Sequence, residues 1–225
     1  MELLNQIMPN VVDLFPDLMK ALKDTLLMVL ISGTIASAIG IPLGITLVVT
    51  REGNLLENKL IYFILGKFVN VFRALPFVIL LTAIIPITRF IAGTTIGLKG
   101  AVVPLIFAAT PFVARQVESA LLEIDPGVIE AAKAMGSSPL EIIYRVLLIE
   151  GLPGIVYALT ITIVSLIGFS AVAGTVGGGG LGDFAIRYGY QYFRTDIMIV
   201  TTILLLLIVN IVQSLGEYLL KRLSH

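Results

Sequence analysis

Leu26 to Val49 is a run of 24 residues without a charged side chain. As an α-helix it is about 36 Å long, enough to cross a hydrocarbon core of about 30 Å. In lipid each backbone N–H and C=O must be satisfied within the chain, so such a run folds as a membrane helix. Four further apolar stretches lie within Leu60 to Thr88, Thr94 to Ala114, Ile155 to Ala173 and Ile197 to Gly216. With 57 % hydrophobic and 13 % charged residues among 225, the chain has too little polar surface to clothe a soluble globule. The expected fold is an all-α integral membrane protein with five transmembrane helices in a single domain, 1–225. Pro42 and Gly44 are expected to bend the first span, and Lys67 and Arg73 interrupt the second. Lys99 sits near a span end, where it can snorkel.

Other residue types narrow the function. The 15 basic and 15 acidic residues balance, so nothing suggests a nucleic-acid partner. Without cysteine there are no disulfides or thiolate metal sites. The single histidine is His225, which disfavours imidazole acid–base or metal chemistry. Glu2, Asp13, Asp17 and Asp24 accompany Lys20 and Lys23 before the first span, unlike the basic start of a secretory signal. That segment reads as a short surface helix leading into the membrane. Gly177, Gly179 and Gly182 formally spell G-x-G-x-x-G, but they follow a membrane helix rather than a strand, so a dinucleotide site is rejected. Gly177, Gly178, Gly179, Gly180 and Gly182 read instead as an irregular extracytoplasmic turn using positive φ and tight packing against another subunit. Phenylalanine, methionine and leucine stripes along the spans read as lipid-facing or packing surface, not as a ligand box.

Arg73 admits two placements. At the bilayer centre an arginine costs about 2.5–3.5 kcal/mol on insertion scales, and no carboxylate lies in the five apolar runs to pair with it. Either it sits near the cytoplasmic interface, or it faces a water-filled path and caps carbonyls freed around Pro76.

Glu118 to Glu150 is the one long stretch that reads as a water-facing helical pair. Asp125 suits an N-cap and Pro126 the first helical position, whose N–H has no intrahelical partner. That helix can run through Glu130, Ala131, Ala132 and Met135, with Gly136 as a left-handed stop. Ser138, Pro139 and Glu141 start a second helix with a capping box, expected to reach about Leu148. Ala131, Ala132 and Ala134 keep the first helix thin, so another protein's backbone could approach.

Glu130-Ala131-Ala132, then Gly136, nine residues to Arg145, then Val146 and Leu148 resemble the EAA loop of permease subunits in ATP-binding-cassette importers. Ile149 stands where that pattern has proline, and the nearest proline is Pro153. The stretch around Arg73 and Pro76, residues 111–125, and the glycine run followed by Tyr188-Gly189-Tyr190-Gln191 are similar to the methionine-importer permeases. The resemblance covers roughly residues 20–220.

It implies that Glu130, Ala131, Ala132, Met135, Gly136 and Ser137, within a loop of about 116–150, dock into a groove on a separate ATPase. It implies methionine as solute, in the L and D forms, with an extracytoplasmic substrate-binding protein at the glycine-rich side. A different small solute in the same architecture is the first alternative. Five helices can hardly enclose a path, so a homodimer of this chain with two ATPase subunits is expected. The chain lacks G-x-x-x-x-G-K-[ST], so it is not expected to be an enzyme or to bind a cofactor, and ATP and Mg belong to the partner. The apolar runs hold no Asp, Glu or His for a proton relay, although a sodium-coupled carrier using backbone carbonyls needs none. The implied location is the bacterial cytoplasmic membrane, N-terminus outside and C-terminus inside, in contact with membrane lipid. The basic residues favour that orientation by eight to six.

Overall fold

The computed structural model describes residues 8–223, so Glu2 and His225 lie outside the described residues. All regular elements among the described residues are helical: α1 (Pro9–Asp13), α2 (Phe15–Thr50), α3 (Lys59–Ala74), α4 (Phe77–Ala83), α5 (Ile85–Ala92), α6 (Gly97–Leu122), α7 (Pro126–Ala134), α8 (Pro139–Ile142), α9 (Leu148–Glu150), α10 (Leu152–Gly174), α11 (Gly180–Phe184) and α12 (Thr195–Leu223). Two π-helical segments, Ile143–Leu147 and Ala185–Gln191, join α8 to α9 and extend α11. Four helices, α2, α6, α10 and α12, are each long and apolar enough to span a membrane, and the bent pair α3–α4 supplies a fifth passage.

The first span is longer than its apolar run. Pro16 at the helix start and Asp17 in the first turn let α2 begin at Phe15, so the surface helix and the span form one helix of 36 residues. Pro42 lies inside this helix without ending it. Gly40 and Gly44 serve close approach to α6. A Cβ at Gly40 would lie 2.8 Å from the Thr110 carbonyl oxygen, and one at Gly44 2.6 Å from that of Ala114. Small residues four apart let two backbones meet where apolar lipid offers no drive to associate.

The second passage is not one helix. Pro76 follows Leu75 in extended conformation, and α4 leaves α3 at 105°. The ring of Pro76 disfavours helical geometry at the residue before it, which explains the stop. The third span begins at Gly97 and continues to Leu122, eight residues past its expected end.

Helix α6 is the axis of the bundle. It packs on α2, α3, α4, α5 and α10, and it is the most buried of the four long spans. Val48 and Val49 of α2 meet Val117 and Leu121 of α6 and Ile155 of α10 in one cluster. A second cluster, with Met28, Ala36, Leu105, Ala109 and Leu166, fills the middle. A third joins Leu18 and Ala21 to Leu181, Phe184 and Ile197 at the opposite end. Thus α2 and α6 run parallel, α10 runs back between the ends, and residues 8 and 223 lie at opposite ends of the bundle. Serine and threonine hydroxyls within the spans donate to carbonyls one turn earlier, as Thr162 does to Ala158 at 2.8 Å and Ser165 to Ile161 at 2.9 Å. In an apolar medium these bonds remove the cost of an unpaired hydroxyl.

Candidate functional site

The helix pair at one end of the bundle is built by its caps. The Asp125 carboxylate accepts from the Gly127 N–H at 2.8 Å, and α7 begins at Pro126. At the other end the Gly136 N–H donates to the Lys133 carbonyl at 3.0 Å and the Ser137 N–H to the Ala132 carbonyl at 3.1 Å. Gly136 has φ +84°. This pair of bonds is a Schellman stop. Ser138 then caps α8: its N–H and hydroxyl each donate to Glu141 at 2.8 Å, and the Glu141 N–H returns to the hydroxyl at 3.4 Å. The Ser138 backbone bond first, the Ser138 hydroxyl second and nearby Arg145 hold the Glu141 carboxyl below the usual carboxylate range.

The second member of the pair departs from expectation. It is helical from Pro139 to Ile142, widens into a π segment to Leu147, and resumes as α9 to Glu150. Gly151 follows in helical conformation, and α10 starts at Leu152 with Pro153 in its first turn. The re-entry that Ile149 left open is therefore an almost unbroken helical rod from Ser138 into the membrane. Gly151 is small because a Cβ there would run into Leu121 of α6.

The side chains sort by face. Ala132 is buried, whereas Glu130, Ala131 and Gly136 are exposed and Ser137 is partly covered. Met135 is 79 % exposed, with Leu140 and Tyr144 also exposed nearby. The water-facing stretch is shorter than expected at its start. Glu118 belongs to α6 and is 2 % exposed.

Glu118 also bears on the surroundings of Arg73. It forms an ion pair with Arg115, whose other nitrogen donates to Asn70 Oδ1 at 2.6 Å. Arg73, at the end of α3, lies within electrostatic reach of both Arg115 and Glu118. Glu118 lies beyond the third apolar run and pairs with Arg115, and the signal for it was the opposite-charge pair Arg115-x-x-Glu118 inside an otherwise apolar helix. Arg73 makes no hydrogen bond or ion pair among the described residues, so it does not cap carbonyls around Pro76. It borders a cavity of about 250 Å³ with Phe72, Phe77, Phe112 and Phe169.

The glycine-rich segment lies at the opposite end. Gly177, Gly179 and Gly180 have φ between +76° and +86°. It packs closely against this chain's own helices. A Cβ at Gly178 would lie 2.7 Å from the Ala173 carbonyl oxygen, and one at Gly180 2.6 Å from Thr25 Oγ1. A Cβ at Gly182 would overlap the Ala171 backbone. From Gly180 onward the segment is helical, and the Leu181 N–H donates to Thr25 Oγ1 of α2 at 2.8 Å. Tyr188 to Gln191 complete the second π segment. Among the described residues no group of three or more His, Asp or Glu side chains could hold a metal ion.

The family described as binding-protein-dependent transport system inner membrane component matches residues 40–225. The chain is 51 % identical to the probable D-methionine transport system permease protein MetI of Vibrio cholerae over 92 % of each chain. It is 50 % identical to the D-methionine transport system permease protein MetI of Escherichia coli K12, over 70 % of this chain and 72 % of that one. Among solved structures, a chain of the inward-facing MetNI methionine ABC transporter superposes with a TM-score of 0.92 at 44 % identity, covering 95 % of this chain and 99 % of that chain. An amino acid ABC transporter chain at 20 % identity and TM-score 0.79 shares the fold. Five passages around a central α6, a capped helix pair at one end and this family match agree: the chain belongs to the binding-protein-dependent transport system inner membrane components, in the branch of methionine-importer permeases.

Proposed function

We propose that this chain forms the membrane conduit of an ATP-driven importer of methionine. The observation that carries the reading is the capped helix pair: two short rods set at a fixed angle by Gly136, with Met135, Leu140 and Tyr144 exposed beside them. Exposed apolar side chains on a segment outside the spans are available to a docking protein. The solute is carried over from the relatives, whose names specify D-methionine transport.

Coupling follows from how the pair is joined to the membrane. An ATPase groove that holds Glu130, Ala131, Ala132, Met135, Gly136 and Ser137 also holds α8, and α8 continues through the π segment and α9 into α10. Movement of the groove is thereby delivered to a membrane span. Two ATPase subunits that close on ATP and Mg would draw the helix pairs of a homodimer together and rock the bundles between two packings. The chain itself is the transport component and not an enzyme. In this arrangement the helix-pair end and the C-terminus face the cytoplasm, and the glycine-rich end with the N-terminus faces the extracytoplasmic binding protein.

Radiolabelled methionine uptake by the complex of this chain, its ATPase and its binding protein in proteoliposomes tests the reading. ATP-dependent uptake competed by unlabelled L- and D-methionine, and not by unrelated amino acids, is the expected result. Uptake that proceeds without the ATPase would overturn it.

A further inference from the structure

We propose that the lateral groove between α2, α10 and α12 is a phospholipid site. One acyl chain lies along α10, and the Lys23 ammonium holds the phosphate. The inference concerns the membrane around the bundle and goes beyond the importer reading, since it holds whichever solute is carried.

The groove follows from how three spans meet. Helices α2 and α12 both pack on α10, and at the glycine-rich end they are tied by the cluster of Leu18, Ala21, Leu181, Phe184 and Ile197. Away from that tie, Leu159, Ile163 and Ile167, four apart on one face of α10, form a floor. Leu26 and Leu30 of α2 stand on one side, and Ile208 and Val212 of α12 on the other. The space they enclose is about 440 Å³. All three helices are spans, so the groove meets membrane rather than bulk water.

The lining decides what fills it. The hydroxyls of Thr34 and Ser37 donate to the Leu30 and Gly33 carbonyls at 2.7 and 2.6 Å, and Thr25 Oγ1 accepts from the Leu181 N–H. Ordered water needs several polar partners, and hydroxyls engaged in this way leave the space to an apolar occupant. A helix of another chain is too thick. A rod about 10 Å wide, over the roughly 12 Å from Leu159 to Ile167, fills about 940 Å³, more than twice this space. A single file of methylenes fits.

Lys23 supplies the polar end. It lies three residues before Leu26 and seven before Leu30, so it shares the face of α2 that borders the groove. Its side chain is exposed and makes no hydrogen bond or ion pair among the described residues. Asp17 and Asp24 line a separate cavity against the glycine-rich segment, which leaves the ammonium as the charge above the groove. Basic side chains beside transmembrane helices attract phospholipid headgroups, and an unpaired ammonium over an apolar channel matches a phosphate that carries acyl chains.

The test uses the complete complex in proteoliposomes containing phosphatidylglycerol with a diazirine in one acyl chain. A second preparation contains diacylglycerol with the same diazirine chain and no phosphate. Illumination and peptide mapping read which residues the chain touches. Adducts at Ile163 and Leu30 are expected at least fivefold more from phosphatidylglycerol than from diacylglycerol. Ile39, exposed on α2 outside the groove, should react equally with both. Lys23→Gln should erase the preference at Ile163. Thr34→Phe, which fills the groove, should remove the Ile163 adduct and leave that at Ile39. Equal reaction of the two probes at Ile163 in the wild type means ordinary boundary lipid only and overturns the proposal. Absence of adducts at Ile163 with normal reaction at Ile39 means that another chain covers the groove, and overturns it too. Should Thr34→Phe fail to assemble, the wild-type comparison of the two probes decides alone. Methionine uptake enters none of these readings, so failure of the importer reading would leave this result standing.

Discussion

Gly136 and the segment from Gly177 to Gly182 both use left-handed glycines, yet they depend on different things. At Gly136 a Cβ would meet nothing within 4 Å, so only the backbone angle requires glycine. At the other end of the bundle Gly178, Gly180 and Gly182 are pressed against Ala173, Thr25 and Ala171. One is a hinge whose geometry is set locally, on the segment proposed to meet the ATPase. The other is a packed joint that ties α10, α11 and α2 together. A hinge should tolerate added volume and resist changed angle, whereas the joint should resist added volume even where the angle is ordinary.

The largest effect is expected at the joint. Gly182→Ala places a methyl into the Ala171 backbone, which has no flexible end to move aside. Overpacking of this kind costs about 3 kcal/mol or more. The purified protein should aggregate, or lose its folded form at markedly lower temperature in detergent. A wild-type thermal profile would remove the distinction drawn between the two regions.

Next comes Thr25→Val, which keeps the shape and removes the acceptor for the Leu181 N–H. Thr25 is 2 % exposed. Leaving a buried N–H unpaired costs about 1–3 kcal/mol. The measurable result is faster hydrogen exchange at Leu181 and a smaller drop in thermal stability than Gly182→Ala gives.

The hinge should show the reverse pattern. Gly136→Val forces a β-branched residue to φ near +84°, a strain of about 1–2 kcal/mol confined to the helix pair. Membrane insertion and thermal stability should stay close to wild type, while uptake falls and ATP hydrolysis continues. Gly136→Asn, which tolerates that conformation, should retain most transport. Equal loss in both variants would show that volume, not angle, governs this position.

The same contrast explains what the sequence revealed. The helix pair was legible residue by residue because Asp125, Pro126, Gly136, Ser138 and Glu141 act on neighbours within a few positions. The apolar runs were legible because lipid imposes one solution on a long charge-free stretch. The 105° turn after Leu75 was visible only as a proline. Glu118 was misassigned to water because its burial depends on Arg115 and on Asn70, 45 positions before Arg115. The π segment after Ile142 had no local signature of the kind that caps have. Nor did the long-range tie of Asn10, whose N–H and side-chain nitrogen donate to Asp196 at 3.0 and 3.1 Å.

The smallest expected effect concerns the cap of α8 and its response to pH. Bonds from Ser138 favour the ionised form of Glu141, so its carboxyl is harder to protonate in the folded pair than in an unfolded chain. A depressed value means that the unfolded state binds the proton first as pH falls. The stabilisation is therefore complete above the ordinary carboxylate range and is lost progressively as pH drops through the lower folded value. Glu141→Gln can still accept from the Ser138 N–H, so it removes the charge while keeping much of the cap. Hydrogen exchange at the amides of residues 138–142, compared between wild type and Glu141→Gln, should show a modest protection difference that is constant near neutral pH and closes on acidification. A difference that widens in acid would mean that the ionised carboxylate opposes the cap. The local rule that made the hinge legible would then fail at the residue where it is simplest.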